Sequence, residues 1–340
     1  MSNDSTKVAR DVDVLSVENI TVSAVGKNSS IRLVDDVSIN LKAGKITALA
    51  GESGSGKTVT AMAILGLNKE RGARIDGGDI RYGGRSLVSL TDKEMHTLRG
   101  VEIGAVFQDP SNSVDPMYTI GNSLREVIRT HKQVDAQGAN RIAIQALRDA
   151  GIDNAEERMD VYPSQLSGGL LQRVMLALAI VLNPKVIIAD EPTTALDVIV
   201  QARVMRLIRQ LADRGAAVLF VTHDLGLVSE YADEIHVMYA GHVVESGPVH
   251  NVLKQPKHPY TSKLIEANPS ADTRTDRLTT IPGGVPTPGE IPAGCRFVDR
   301  CAFAIEGCEM PQVLEAYGIE HSVRCWRSSS VAESLHRRDS

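Results

Sequence analysis

The sequence predicts an α/β fold: a mostly parallel sheet covered on both faces, with a helical lobe inserted and a small domain appended. Three observations predict it. Short apolar runs at Ile46–Ala50, Val186–Ala189 and Ala217–Val221 alternate with helical stretches, as in a sheet buried on both faces. From about Asp92 to Ile180 the pattern is mostly helical, long enough to form its own lobe. Beyond His258-Pro259-Tyr260 the composition turns proline- and glycine-rich, and all four cysteines follow.

The elements follow in order. Residues 1–13 read as a loose arm. Val14 to Val22 alternates like a strand, Gly26 to Ser30 turns, and a second strand spans Ile31 to Leu41, interrupted by Asp35-Asp36. Lys42-Ala43-Gly44 turns into the strand Ile46–Ala50, and Val59 to Leu65 opens a helix. Gly72, Gly77-Gly78 and Gly83-Gly84 flank short strands such as Asp79–Tyr82. Leu124 to Thr130, Gly138 to Ala150 and Leu170 to Leu182 are helical, and Val106-Phe107-Gln108-Asp109-Pro110 is an apolar strand ending in a polar loop. A helix from about Val198 to Arg214 separates the last two apolar strands. Thr261 to Pro269 reads as a short helix, and Pro282 to Pro292 excludes a helix interior.

Between the strand at Ile46 and the helix at Val59 stands Gly51-Glu52-Ser53-Gly54-Ser55-Gly56-Lys57-Thr58, a full G-x-x-x-x-G-K-[ST] phosphate loop. Glycines let the backbone curl so that its N–H groups face the phosphates, and the helix start adds partial positive charge. Lys57 reaches the β/γ-phosphates and Thr58 offers a hydroxyl to Mg2+. Val186 to Ala189 delivers Asp190 and Glu191 at a strand end. In a phosphate-loop enzyme the first carboxylate holds Mg2+ and the second polarises an attacking water, and neighbouring strand positions point to different sides. Leu166-Ser167-Gly168-Gly169 opens a helix rich in Leu, Met and Ala: a second anion-binding helix start, or an ordinary Ser cap.

In combination these stretches resemble the nucleotide-binding subunits of ATP-binding-cassette (ABC) transporters. The phosphate loop matches at Gly51 to Thr58, the glutamine loop at Gln108, the signature at Leu166 to Gly169 and the Walker B strand at Val186 to Glu191. The D-loop matches at Ala195-Leu196-Asp197 and the switch histidine at His223. The resemblance implies an ABC cassette over residues 14–255, a RecA-like P-loop core with an antiparallel β subdomain and a helical subdomain at about 92–182. It implies that Glu191, His223 and Gln108 are catalytic, and that Thr58, Gln108 and Asp190 surround Mg2+. ATP would be bound by Gly51 to Thr58, Gln108 and Asp190, and in trans by Ser167, Gly168, Gly169 and Asp197 of a head-to-tail partner. In the region where the family supplies an aromatic ring for adenine, this chain has Val22-Ser23-Ala24-Val25. The missing platform costs roughly 1–3 kcal/mol by analogy with base stacking.

Phe107 to Pro116, His258 to Thr261, Ile281-Pro282-Gly283 and Gly294-Cys295-Arg296-Phe297 resemble the oligopeptide/dipeptide import ATPases and their C-terminal extension, here residues 256–340. That resemblance implies an ATPase powering import of di- or oligopeptides at the cytoplasmic face of a bacterial inner membrane. Its partners would be a second, paralogous ATPase in a heterodimer, two transmembrane permeases and an extracytoplasmic binding protein. Similar systems carry nickel, glutathione, opines or sugars. A translation or DNA-repair cassette is the alternative class, but no second cassette, inserted coiled coil or basic surface is apparent.

Composition narrows the classes further. A net charge of -5 and 4% aromatic residues argue against a DNA- or RNA-binding surface. The first residues are polar, so no signal peptide is expected, and no stretch approaches a membrane span. Cys295, Cys301, Cys308 and Cys325 run C-x5-C-x6-C-x16-C. Four thiolates hold zinc or an iron–sulfur cluster, and spacing does not choose. The resemblance favours a [4Fe-4S] cluster with a structural role; Zn2+ is the alternative.

Overall fold

The computed structural model describes residues 13–26, 30–108, 114–194, 196–268, 280–287, 289–318 and 320–336. The arm predicted at 1–13, apart from Asp13, lies outside them, as do Asp109 to Ser113 after the glutamine and Ala195 of the D-loop.

The chain opens with strands β1 (Asp13–Val25), β2 (Ser30–Lys42) and β3 (Ile46–Ala50), then helix α1 (Lys57–Ile64). β4 (Ala73–Tyr82), β5 (Arg85–Ser86), α2 (Asp92–Leu98) and β6 (Ile103–Val106) come next. The helical stretch holds α3 (Ile120–His131), α4 (Ala136–Asp149), α5 (Ala155–Arg158) and α6 (Gly168–Ile180). β7 (Val186–Asp190), α7 (Val198–Asp213), β8 (Ala217–Thr222) and α8 (Leu225–Tyr231) continue the alternation. β9 (Glu234–Tyr239), β10 (His242–Pro248), α9 (Val249–Lys254) and α10 (Pro259–Glu266) lead into the tail, where β11 (Glu315–Ala316), β12 (Ser322–Val323) and α11 (Ser328–His336) complete it.

The chain divides into two compact units: Met1–Val14, Leu41–Lys45 and Leu90–Phe220 in one, and Leu15–Asn40, Ile46–Ser89 and Val221–Ser340 in the other. In the first, β6 pairs in parallel with β7, Ile103 opposite Val186 and Val106 opposite Ala189. All five β7 residues are buried, which is why the run is apolar throughout. α3 packs on α4, and α4 on α6, which also rests against β6. α3 and α4 both begin earlier than the sequence suggests, at Ile120 and not Leu124 and at Ala136 and not Gly138, each behind a side-chain cap: Thr119 takes the Asn122 N–H, and Asp135 takes the Gly138 N–H at 2.7 Å.

The second unit holds an antiparallel sheet in the order β2-β1-β4-β5. β4 corrects the turn-rich reading. Gly77 and Gly78 do not bound a short strand but lie inside a ten-residue one. They sit where the β1–β4 register slips between Glu18 and Thr21. Gly78, at φ 80, is needed because a Cβ there would lie 2.4 Å from the Glu18 carbonyl oxygen; the glycine carries a bulge. The unit's other sheet is parallel only in part. β3 and β9 pair in parallel, Ala48 opposite Ile235. β9–β10, β10–β12 and β12–β11 are all antiparallel. The tail therefore extends this sheet through β12, with Val323 opposite Glu245, and does not stand as a separate layer. Among the described residues no helix is long and apolar enough to cross a membrane.

Candidate nucleotide site

The phosphate loop grows out of β3, whose five residues are all buried, and ends in α1. Gly51 has φ +153, and a Cβ there would sit 2.2 Å from the Met238 carbonyl oxygen of β9, so only glycine lets the loop leave the sheet here. Gly56, the N-cap residue at φ 105, has Met238 Cε and the Leu33 carbonyl at 3.0 and 3.1 Å from where a Cβ would be. Lys57 is almost fully buried, and its ammonium donates to the carbonyls of Gly51 (2.8 Å) and Glu52 (2.9 Å), which fixes it across the curl. The Ser55 hydroxyl is buried without a hydrogen-bond partner. An orphaned hydroxyl and a clamped ammonium within a curl of backbone N–H groups suit phosphate oxygens. Thr58 follows in the first turn of α1.

In the first unit, β7 stops at Asp190 because Glu191 takes a left-handed backbone with φ 48. The sequence expects strand alternation to separate the two carboxylates; the strand in fact ends between them, and the turn does it. Asp190 is 3% exposed. The Glu191 carboxylate accepts from Gln108 Nε2 at 3.1 Å and from the Thr194 hydroxyl at 2.9 Å. Gln108 and Glu191, 83 residues apart in sequence, are thus brought together.

Ser167 caps α6 with extended backbone but makes no side-chain cap bond, and both Ser167 and Gly168 are exposed. A Cβ at Gly168 would meet nothing within 4 Å, and one at Gly169 would make ordinary contact with Val200 at 3.4 Å and Leu196 at 3.9 Å. α6 is tied to the loop after β7 by buried Gln172, whose Nε2 donates to the Pro192 carbonyl at 2.7 Å. Asp197 caps α7, accepting from the N–H groups of Ile199 (3.1 Å) and Val200 (3.0 Å). Directly after it Val198 and Ile199 are 79% and 67% exposed. His223, exposed, follows β8 in the second unit, beside Asp224, which caps α8. In the family's adenine region, Val25 is the exposed end of β1.

Cys295, Cys301, Cys308 and Cys325 are unpaired, and all four line one small cavity with His258, Phe297 and Trp326. Burial pushes the Cys295 thiol up to about 11, the neighbouring sulfurs adding to it, and burial raises Cys301 and Cys325 too. Among the described residues no group of three or more His, Cys, Asp or Glu is arranged to hold a metal ion. The four side chains are an all-thiol set around one cavity, so it is their donor chemistry, and not their present arrangement, that suits a thiophilic group.

Two residues to which the sequence reading gives no role at the nucleotide site touch the phosphate loop. The Tyr260 hydroxyl accepts the Glu52 N–H at 2.9 Å, and Arg300 pairs with the Glu52 carboxylate at 2.8 and 3.1 Å. The arginine's place before Cys301 in an otherwise irregular tail was the one available signal.

Residues 34–194 match the family described as ABC transporter, and residues 244–308 match the oligopeptide/dipeptide transporter C-terminal region. A putative peptide import ATP-binding protein of Brucella abortus (strain 2308) is 45% identical over 313 residues, 92% of this chain and 94% of its own. The oligopeptide transport ATP-binding protein AppD of Bacillus subtilis (strain 168) is 42% identical, covering 92% of this chain and 96% of its own. Among solved structures, an ATP-binding cassette in a dimeric post-hydrolysis state with ADP and Pi is similar at TM-score 0.63. It is 26% identical, covering 69% of this chain and 98% of that one. The P-loop core, the C-terminal region and these likenesses agree: the chain belongs to the ATP-binding, ATP-hydrolysing subunits of ABC transporters, in the oligopeptide/dipeptide importer family.

Proposed function

We propose that this subunit powers import of di- or oligopeptides, or related solutes, by hydrolysing ATP at the cytoplasmic face of a bacterial inner membrane. The observation that carries the ATPase part is the Glu191 carboxylate, held by Gln108 and Thr194 directly after buried Asp190. Glu191 orients and polarises the attacking water. Gln108, bonded to it, reports the state of the γ-phosphate and Mg2+ towards the membrane subunit. Asp190 and the Thr58 hydroxyl hold Mg2+, which neutralises phosphate charge when bound. Lys57 and the loop N–H groups cradle the phosphates, and His223 contacts the γ-phosphate. Exposed Met117 and Tyr118, just beyond the glutamine loop, support a permease contact there. The peptide reading rests on the C-terminal region at 244–308 and the relatives' names.

Two such subunits, this one and a paralogue, close head to tail. Ser167, Gly168 and Gly169 then grip ATP held by the other chain, and Asp197 joins the sites. The open space at Gly168 and the exposed Val198 and Ile199 support a surface made for another chain. Two permeases and an extracytoplasmic binding protein complete the assembly. Glu191→Gln in the assembled complex is expected to retain MgATP, lower hydrolysis at least about 10²-fold and stop transport. Undiminished steady-state hydrolysis would overturn the assignment.

The four cysteines hold a [4Fe-4S] cluster that cross-links the tail; Zn2+ is the other thiophilic candidate. The support is four unpaired thiols around one cavity in a segment too small for a large core. Anaerobic purification should give four irons and four sulfides per chain; stoichiometric zinc without iron selects the alternative, and neither metal removes both.

A further inference from the structure

Glu52, second residue of the phosphate loop, is clamped by the tail through both its main chain and its side chain. Its N–H goes to the Tyr260 hydroxyl. Its carboxylate meets Arg300 fork to fork, Nη1 to Oε2 at 2.8 Å and Nη2 to Oε1 at 3.1 Å. Such paired charge-assisted bonds fix direction as well as distance. The arginine is itself immobilised. Its side chain is 6% exposed and lies 5.6 Å over the Tyr239 ring and 5.8 Å over Phe297. Its Nε donates to the Pro282 carbonyl at 2.8 Å. Tyr239, Tyr260 and Phe297 form one buried aromatic cluster, with centroids 4.6 to 5.4 Å apart.

The other end of the loop is held by the turn between β9 and β10, which the tail braces. Gly241 N–H donates to the Ser55 carbonyl at 2.8 Å. The Ala240-Gly241 turn is in turn fixed by Arg296, which bonds the Ala240 carbonyl and the Asp35 carboxylate, while Asp35 N–H reaches the Gly241 carbonyl at 2.9 Å. Arg296 and Arg300, four residues apart in sequence, therefore act on the loop differently: Arg300 reaches one end directly through Glu52, and Arg296 braces the turn that holds the other. Lys57 donates to the Glu52 carbonyl, so a rotation at Glu52 displaces the ammonium meant for the phosphates.

We infer that Arg300 is a positioning residue of the nucleotide site, holding the phosphate loop in its anion-binding curl through Glu52. The inference rests on that loop being the nucleotide site and is independent of what the cysteines hold. The test is equilibrium MgATP binding and thermal denaturation of the full-length chain, as wild type, Arg300→Lys, Arg300→Ala, Glu52→Gln and the Glu52→Gln/Arg300→Ala double variant. Arg300→Ala and Glu52→Gln each weaken MgATP binding about tenfold. The double variant is no weaker than the worse single one, and Arg300→Lys recovers part of the loss because it keeps charge without the fork. Additive losses in the double variant overturn the inference, as does a lowered melting temperature with unchanged MgATP affinity. Should Arg300→Ala not fold, wild-type affinity in both Arg300→Lys and Glu52→Gln overturns it. A wild-type chain that binds no MgATP sinks the nucleotide reading itself.

Discussion

At the start of α1 the chain is boxed in by its own atoms; at the start of α6 it is open. Gly51 faces the Met238 carbonyl, Lys57 is buried, and Glu52 and Ser55 are held by residues 240 to 300. Ser167 and Gly168 are exposed, and the glycine meets nothing. Both starts have the same chemistry, glycine, serine and uncapped backbone N–H groups. Only the first is pre-formed by the chain that carries it. In the composite site proposed above, the first start is the half built before nucleotide arrives, and the second is the half offered to a partner's nucleotide.

The most severe way to break the comparison is Gly51→Ala. The added methyl meets a backbone oxygen that cannot move aside, so a loss of about 3 kcal/mol or more in stability is expected, with MgATP binding abolished in calorimetry. Wild-type affinity would show that the first site is not boxed in. Gly168→Ala is the counterpart. Denaturant titration should place its stability within about 0.5 kcal/mol of wild type, while hydrolysis by the assembled complex falls roughly 10²-fold, as for loss of a transition-state donor. An α6 start that tolerates alanine with full hydrolysis would not be a site for a partner's nucleotide. Gln172→Leu removes the tie between α6 and the loop after β7, leaving the Pro192 carbonyl buried without its donor. A cost of about 1–3 kcal/mol should appear in chemical denaturation; no change would mean that α6 is not held there.

The smallest effect concerns the brace under the first site. His242 donates to Asp35 at 3.3 Å. Burial lowers its pKa from 6.5 to about 4, against the opposing bond to Asp35, with Arg296 and Arg324 lowering it further. The unfolded chain then binds more protons than the folded one between those values. The contribution is complete above about pH 6.5 and is lost as pH falls towards 4. The bond to His242 in turn holds the Asp35 carboxyl well below the usual range, so loss of Asp35 charge acts in the same direction at still lower pH. Melting temperatures measured from pH 7.5 to 5 should fall, and less steeply in His242→Gln; parallel profiles would exclude the histidine.

The motifs were legible because backbone chemistry dictates their residue types. Nothing but glycine passes the Met238 carbonyl at position 51, and an N–H cradle needs no side chain that varies. Apolar runs such as Val186–Ala189 are legible for a similar reason, being buried on every side. β4 was misread because a bulge glycine and a turn glycine look alike in sequence; only the opposing Glu18 carbonyl tells them apart. The antiparallel addition of β11 and β12 was invisible, since two-residue strands carry no periodicity. Arg300 and Tyr260 were hidden for another reason: their partner lies 248 and 208 residues away, and pairing over such a distance leaves no trace in a single sequence.

The grip of the tail on Glu52 has a consequence for anyone recombining paralogues. A chimera spliced at Pro248, between β10 and α9, would join one subunit's phosphate loop to another's tail and set position 52 against a foreign position 300. A charge mismatch there would strand a nearly buried guanidinium beside the nucleotide loop. Exchange is expected to succeed only when residues 52 and 300 travel together, which makes cassette and extension one unit for such swaps despite reading as two.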